Sequence, residues 1–276
     1  MERVGELARK WGVVVERTVE TPGSIIAFGA RGHVPVVLKV IRKRGDEWQC
    51  GEALDAFQGV GTVRTYERVE GAVLLERLDP GTPLVEMVLD GRDEEAADIV
   101  AEIVQKMAHP QASSHAFATV EDWGKGFDRY LASDDNRIPL NLVERGQQLY
   151  FDLSSTQQST GLLHGDLQHY NILFDSRRGW LAIDPKGVIG EIEYEMGASL
   201  RNPYEKPESF TSTRAIERRV RRYEEKLKID GSRVMLWAFS QAILSAIWSV
   251  EDGDEIDVRN PALMLARTIL PMLNGT

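Results

Sequence analysis

The sequence offers very little sulfur chemistry. Its 276 residues include one cysteine, Cys50. A single thiol cannot close an intramolecular disulfide or build a Cys-rich zinc site. Positive charge is also scarce: 33 lysines and arginines stand against 43 aspartates and glutamates, a formal net charge of −10. That balance disfavours nucleic-acid phosphates as partners and would attract cations, polycationic small molecules included. No apolar run reaches the roughly 20 mostly apolar residues that a bilayer demands. The longest stretch, Val234 to Val250, is broken by Ser240, Gln241, Ser245 and Ser249 and reads as a buried helix. Met1 to Gly12 is charged and lacks an apolar h-region, so no signal peptide is expected. The expectation is a cytoplasmic protein with no membrane partner. Repeats and low-complexity tracts are absent. The remainder is ordinary globular composition, 42% hydrophobic and 28% charged, and it suffices for one large domain or two modest lobes.

The first third reads as strands. Val13 to Val19, Ile25 to Phe28 and Val34 to Ile41 are apolar and β-branched, and the turn signals Thr21-Pro22-Gly23-Ser24 and Ala30-Arg31-Gly32-His33 separate them. They predict an antiparallel meander. A helix carrying Trp48, Leu54 and Phe57 follows and stops at Gly59 to Gly61. Two more strand-like runs lie near Thr62 to Tyr66 and Val73 to Leu78. Asp79-Pro80-Gly81 then breaks the pattern and divides the chain into a β-rich lobe, 1–79, and a mainly helical lobe, 80–276. In the second lobe, Ile99, Val100, Ile103, Val104 and Met107 mark one face of a helix over Asp93 to Ala108, ended by His109-Pro110. Thr119 with Asp122 forms a capping box ahead of a helix through Leu131. Leu140 to Leu153 is helical, Ser154 to Thr160 a polar linker, and Leu162 to Asp184 a β-rich centre. In Arg214 to Lys228, Ile216, Val220, Tyr223 and Leu227 share a face. The arginines and lysines between them read as a solvated surface.

The chemistry concentrates in Leu162 to Phe174. An apolar approach leads into His164-Gly165-Asp166, Asn171 follows five residues after the aspartate, and Leu181-Ala182-Ile183-Asp184 ends a strand on a carboxylate. These residues suit phosphoryl transfer. Asp166 can accept the proton of an attacking hydroxyl. The Asn171 amide oxygen and the Asp184 carboxylate suit a hard cation such as Mg²⁺. Upstream, Val36-Val37-Leu38-Lys39-Val40 sets one lysine in an apolar strand. That is costly unless the ammonium meets an anion, and the phosphates of ATP would serve. Glu52, on the following helix, can pair with Lys39; Glu47 is a rival. His164 reads as a structural histidine bonded to loop backbone.

At these residues the chain resembles the aminoglycoside-phosphotransferase superfamily. The resemblance rests on His164-Gly165-Asp166 through Asn171 and on Ile183-Asp184-Pro185-Lys186-Gly187. Leu200-Arg201-Asn202-Pro203, Leu74-Leu75-Glu76-Arg77-Leu78 with Pro80-Gly81, and Trp237 to Trp248 ending in Glu251-Asp252-Gly253 are similar to the streptomycin and hydroxyurea kinase branch. The resemblance implies an α+β, protein-kinase-like fold with a small antiparallel β lobe and a larger helical lobe. It also implies ATP and Mg²⁺ as cofactors. Lys39 would touch ATP phosphates, backbone near Glu76 to Leu78 would bind adenine, Asp166 would be the base, and Asn171 with Asp184 would hold Mg²⁺.

The chain departs from the superfamily pattern in places. There is no Gly-x-Gly-x-x-Gly loop, so Pro22-Gly23-Ser24 must cap the phosphates. Gln168 and Tyr170 stand where histidine and glycine are common, on the acceptor side. Glu191 and Glu195 stand where aspartates are frequent. A protein kinase is disfavoured because no Asp-Phe-Gly or Ala-Pro-Glu follows. The leading expectation is an ATP-dependent kinase of streptomycin or a related aminoglycoside. The alternatives are hydroxyurea, a choline-like amine or another metabolite as acceptor, and a non-catalytic nucleotide-binding module. Glu251, Asp252, Asp254, Glu255 and Asp257 could bind a cationic acceptor; the plainer reading of that cluster is a solvated loop.

Overall fold

The structure is a computed structural model that describes residues 1–107 and 117–273. The chain opens with α1 (Glu2–Trp11), which places Val4, Leu7, Ala8 and Trp11 on one buried stripe and closes on Gly12 in the left-handed region. The sequence reading saw only charge here. The apolar stripe is narrow, and the charged positions between its members conceal it. Five antiparallel strands follow: β1 (Val13–Glu20), β2 (Ser24–Arg31), β3 (Val34–Ile41), β4 (Thr65–Val69) and β5 (Ala72–Glu76), in the spatial order β1-β2-β3-β5-β4. The predicted run at Thr62 to Tyr66 is displaced. Thr62 instead pairs with Ala182, across to the second lobe, and β4 starts at Thr65.

Strand alternation decides which side chains reach the site. Val36, Leu38 and Val40 of β3 pack under α1 with Leu74. Val37, Lys39 and Ile41 therefore face the other way. There they meet α2 (Cys50–Phe57), whose Cys50 and Leu54 share a core with Ile41, Val73, Leu75 and Leu181. A short 3-10 turn, Asp46–Gln49, leads into α2.

The second lobe begins with β6 (Pro80–Pro83), α3 (Leu84–Leu89) and α4 (Asp93–Met107); the expected stop at His109-Pro110 lies outside the described residues. Then come β7 (Ala118–Thr119), α5 (Val120–Leu131), α6 (Leu140–Ser155), β8 (Gly161–Leu163), β9 (Ile172–Asp175), β10 (Gly179–Ala182) and β11 (Val188–Gly190). The Thr119–Asp122 capping box is present with both reciprocal bonds. The expected linker at Ser154 is shorter, since α6 runs through Ser155. Helices complete the lobe: α7 (Ile192–Glu195), α8 (Gly197–Leu200), α9 (Pro207–Phe210), α10 (Thr213–Leu227), α11 (Gly231–Glu251) and α12 (Pro261–Leu273).

By length and apolar composition α11 could cross a membrane, but most of it is buried within the protein. Trp237, Phe239, Ile243, Leu244 and Ile247 sit in the main core. On α10 the solvated-surface reading fails at one residue. Arg219 is buried, bonds Asp93 at 2.5 and 2.8 Å, and donates to the carbonyls of Ser199 and Asn202. The expected α+β, two-lobe kinase-like architecture is thus the one observed.

Candidate active site

Lys39 comes off the inner face of β3 and is 2% exposed. Its Nζ lies 2.5 Å from Asp184 Oδ1 and 2.8 Å from Glu47 Oε2. The Glu47 oxygen is buried but poorly aligned for a hydrogen bond, so that pairing is one of charge. Burial alone would lower the lysine pKa. The attraction of Asp184, with Cys50 and Glu47 beside it, overrides burial and holds Lys39 well above its ordinary value. The Cys50 thiol is buried 3.8 Å from Asp184 and is pushed far up by burial and that carboxylate.

Glu52 does not pair with Lys39. It reaches the surface and binds Arg68 at 2.7 Å, with Asp55 on the same guanidinium. The reason is helical phase. The 3-10 turn ahead of α2 carries Glu47 toward β3, whereas Glu52, two residues into α2, points along β4.

The second half of the site is a loop held by backbone. His164 is fully buried, and burial lowers its pKa. Its Nε2 bonds the Ile183 carbonyl at 2.8 Å, and its Nδ1 accepts from the Asp166 amide at 3.3 Å. This is the structural role the sequence suggested. Gly165, at φ +82°, takes the left-handed turn, and a Cβ there would strike the Trp123 ring. Under the loop lies Glu195 of α7, fully buried, whose carboxylate accepts from His164 N at 2.6 Å and Gly165 N at 3.0 Å. Burial raises its pKa to about 7, against the pull of those amides.

Asn171 Nδ2 donates to the Asp166 carbonyl at 2.9 Å and to Asp166 Oδ2 at 3.3 Å, which turns its amide oxygen away from Asp166. The hairpin of β9 and β10 then returns the chain, and Ile183 N bonds Asn171 O at 2.8 Å. Asp184, at φ 61°, turns out of the strand beside Asn171; aspartate tolerates this region better than most residues. Lys39, Asp166, Asn171 and Asp184, spread over 146 residues of sequence, thus surround one spot between the lobes.

That spot opens into a cleft of about 390 Å³, walled by Ile26, Phe28, Val37, Leu75, Leu78 and Ile183, with Lys39, Glu76 and Asp184 at its polar edges. The Glu76 side chain is turned to structural work, binding Arg178 and accepting from Arg64 N at 2.8 Å. Gly23 and Ser24 are not among the cleft's walls. The Ser24 amide is engaged by Thr21 Oγ1 at 3.0 Å, and Gly23 packs beside the Glu47 carboxylate. This turn approaches Lys39 through Glu47.

Of the acceptor-side candidates, Gln168 caps the 3-10 turn His169–Asn171 by accepting from Tyr170 N. Glu251 is clasped by Arg129 through bonds of 2.9 and 3.1 Å. It stands ten residues beyond Gln241 on α11, about 15 Å along the axis. Asp252 is exposed at the helix end. Arg201 and Gln241, read in the sequence only within a branch motif and an apolar helix, stand closer, as does Tyr170. Arg201 Nη2 reaches Asp166 Oδ1 at 3.3 Å, and its Nη1 donates to Gln241 Oε1 at 2.9 Å. Tyr170 stacks on Tyr204 at 4.5 Å, with Tyr170 also bonded to Glu205. Two signals could have found the first pair: an arginine in a branch motif, and a glutamine inside an apolar helix.

The donor set fits Mg·ATP. Among the described residues no three or more His, Cys, Asp or Glu side chains gather into a metal cage. One carboxylate and one amide oxygen are what a Mg²⁺ ion shared with phosphates needs, and the Lys39 ammonium stands beside the carboxylate.

Comparison with known proteins agrees with this geometry. Residues 13–253 match the family described as aminoglycoside/hydroxyurea antibiotic resistance kinase. The chain is 28% identical over 231 residues to a streptomycin 3''-kinase of Klebsiella pneumoniae, covering 81% of this chain and 83% of the relative. It is 28% identical over 277 residues to a hydroxyurea phosphotransferase of Kitasatospora aureofaciens, covering 91% and 74%. Its fold is similar to that of a thermostable mutant of aminoglycoside phosphotransferase APH(4)-Ia solved with ADP and hygromycin B. There the TM-score is 0.62 at 14% identity, covering 96% of this chain and 97% of that one. With the family matched from residue 13 to residue 253, across both lobes, this chain is a phosphotransferase and belongs to the aminoglycoside/hydroxyurea antibiotic resistance kinase family.

Proposed function

We propose that the enzyme transfers the γ-phosphoryl group of ATP to a hydroxyl of a streptomycin-type aminoglycoside. Residues 1–79 would hold the nucleotide, and residues 80–276 would carry the base and the acceptor. The observation that carries this reading is the meeting of Lys39 and Asp184 at the polar edge of an apolar cleft, with Asp166 and Asn171 bonded to each other on the adjoining loop and Asn171 tied to the strand that ends at Asp184. A non-catalytic module has no need of all four. Adenine enters the cleft against Phe28, Val37 and Leu78, beside the backbone of Glu76 to Leu78. Lys39 would bind phosphate oxygens, and Asp184 with Asn171 would hold Mg²⁺. Bound Mg²⁺ supplies charge neutralisation at the phosphates.

Asp166 orients the acceptor hydroxyl in line with the γ-phosphorus. As the new O–P bond forms, the bond from that phosphorus to the β,γ-bridging oxygen breaks. ADP leaves, and Asp166 takes the hydroxyl proton.

A second acceptor, hydroxyurea, is favoured by two observations. The Arg201 guanidinium beside Asp166 opposes a cation next to the reacting hydroxyl, and Glu251 is already neutralised by Arg129. Incubation with Mg·ATP and streptomycin, other aminoglycosides, hydroxyurea or choline, read by mass spectrometry, tests the assignment. A mass gain of one phosphate on streptomycin supports it. A gain on hydroxyurea alone replaces it with the second reading, and no transfer to any of them removes both.

A further inference from the structure

A line of polar groups, buried at its start and half-buried at its end, runs from α11 to the candidate base. It starts at α11, where Gln241 is 2% exposed. Gln241 Nε2 donates to the Tyr194 carbonyl at 3.4 Å, which fixes the amide's orientation and leaves Oε1 to accept from Arg201 Nη1 at 2.9 Å. The other arm of the guanidinium, Nη2, reaches Asp166 Oδ1 at 3.3 Å. The second oxygen, Asp166 Oδ2, accepts from Asn171 Nδ2 at 3.3 Å. Both oxygens of the carboxylate are therefore located from opposite sides.

The backbone has been shaped to admit this line. A Cβ built on Gly197 of α8 would lie 2.1 Å from Gln241 Oε1, so only glycine lets the amide sit there. Gly197 has no positive φ to explain it; the close approach of Gln241 does.

We infer that Arg201 is the positioning residue of the catalytic base, and that Gln241 and Gly197 fix Arg201. This rests on the assignment of Asp166 as base. The chemistry suits the role. A planar guanidinium can bond two partners with separate nitrogens in one rigid plane, which lysine cannot. The contact with Asp166 is long for a charge-assisted bond. It directs the carboxylate without occupying both oxygens, so lone pairs remain for an acceptor hydroxyl. Arg219, which is fully buried where Arg201 is partly exposed, illustrates the contrast. It closes on Asp93 with short bonds and on two carbonyls, far from the catalytic loop in sequence, and holds helices together.

The test uses the full chain with four variants: Arg201→Lys, Arg201→Met, Gln241→Met and Gly197→Ala. Steady-state kinetics with streptomycin and with hydroxyurea are read together with Mg·ATP affinity by calorimetry. Misplacing a reacting group by about 1 Å costs on the order of 10²-fold in rate. Arg201→Met should therefore lower kcat by about that factor, and Gln241→Met and Gly197→Ala by roughly tenfold. Arg201→Lys should recover part of the loss, and ATP affinity should stay within about twofold throughout. A kcat that survives in Arg201→Met and Gln241→Met, with only thermal stability reduced, overturns the inference. So does a loss confined to acceptor KM.

If the wild type phosphorylates neither acceptor, the substrate assignment fails by itself, and crystal structures of the wild type and Gln241→Met decide the inference. One Asp166 rotamer in the wild type and a displaced or split one in the variant supports it; an unmoved carboxylate overturns it.

Discussion

Two glutamates compete for Lys39, and the structure favours the one outside the helix. Glu47 lies 2.8 Å from the lysine, while Glu52 lies 2.7 Å from Arg68 at the surface. Replacing each by glutamine separates them. Exposed ion pairs contribute about 0.2–1 kcal/mol, and breaking fully buried ones costs about 3–5 kcal/mol. The Glu47–Lys39 pair has one partner at 2% exposure and the other at 39%, so it falls between, at about 1–2 kcal/mol. If that energy holds Lys39 at the phosphates, Glu47→Gln should lower kcat/KM for ATP by roughly 5–30-fold, since about 1.4 kcal/mol is a factor of ten. The Glu52–Arg68 pair is 35–40% exposed on both sides, so Glu52→Gln should change kcat/KM by less than about twofold. The assay is initial velocity against ATP at saturating acceptor, with calorimetry of Mg·ATP binding alongside. An effect of Glu52→Gln equal to or larger than that of Glu47→Gln would refute the reasoning.

Asp166→Asn should keep Mg·ATP affinity and lose about 10² to 10⁴ in kcat, the usual contribution of a general base; turnover near the wild-type rate would remove Asp166 from that role. Asp184→Ala should abolish Mg²⁺-dependent ATP binding by calorimetry, and retained affinity would leave Asp184 as a turn residue before Pro185. Glu195 gives a pH signature. Its folded pKa, raised by burial to about 7 from 4.5, means the folded protein binds the extra proton. Its contribution to stability is therefore greatest below about pH 4.5 and declines as pH rises toward 7, by up to roughly 3 kcal/mol. Glu195→Gln should flatten the slope of Tm against pH across that window, although its absolute Tm also changes; an unaltered slope would contradict the assignment.

Much of this architecture was legible because local pattern and global fold agree. The β-branched run Val34 to Ile41 came out as a strand of those bounds, and its alternation already placed Lys39 with Val37 and Ile41. The catalytic loop was legible because His164, Asp166, Asn171 and Asp184 lie within one hairpin's reach of sequence. Partners set by distant contacts were not. Glu251 looked available for a cationic ligand until Arg129, 122 residues away, was seen to hold it. Arg201 and Gln241 are 40 residues apart on elements whose crossing no local spacing encodes. Glu52 misled because a helix was assumed to begin earlier than it does. The 3-10 turn at Asp46–Gln49 changes the angular phase of every side chain after it.

The stitching between residues 61–63 and β10 bears on how this enzyme can move. Ala182 N bonds Gly61 O, Val63 N bonds Ala182 O, and Arg178 joins Glu76 and the carbonyls of Gly59 and Thr62 across the same seam. The chain crossing at Asp79 is thus not a lone pivot. Swinging the β lobe away would rupture those bonds together, each worth about 1 kcal/mol net, and would pull Lys39 from Asp184. The β lobe and the β9–β10 hairpin therefore behave as one stiff unit across this seam, and prising the lobes apart would cost all of these bonds at once.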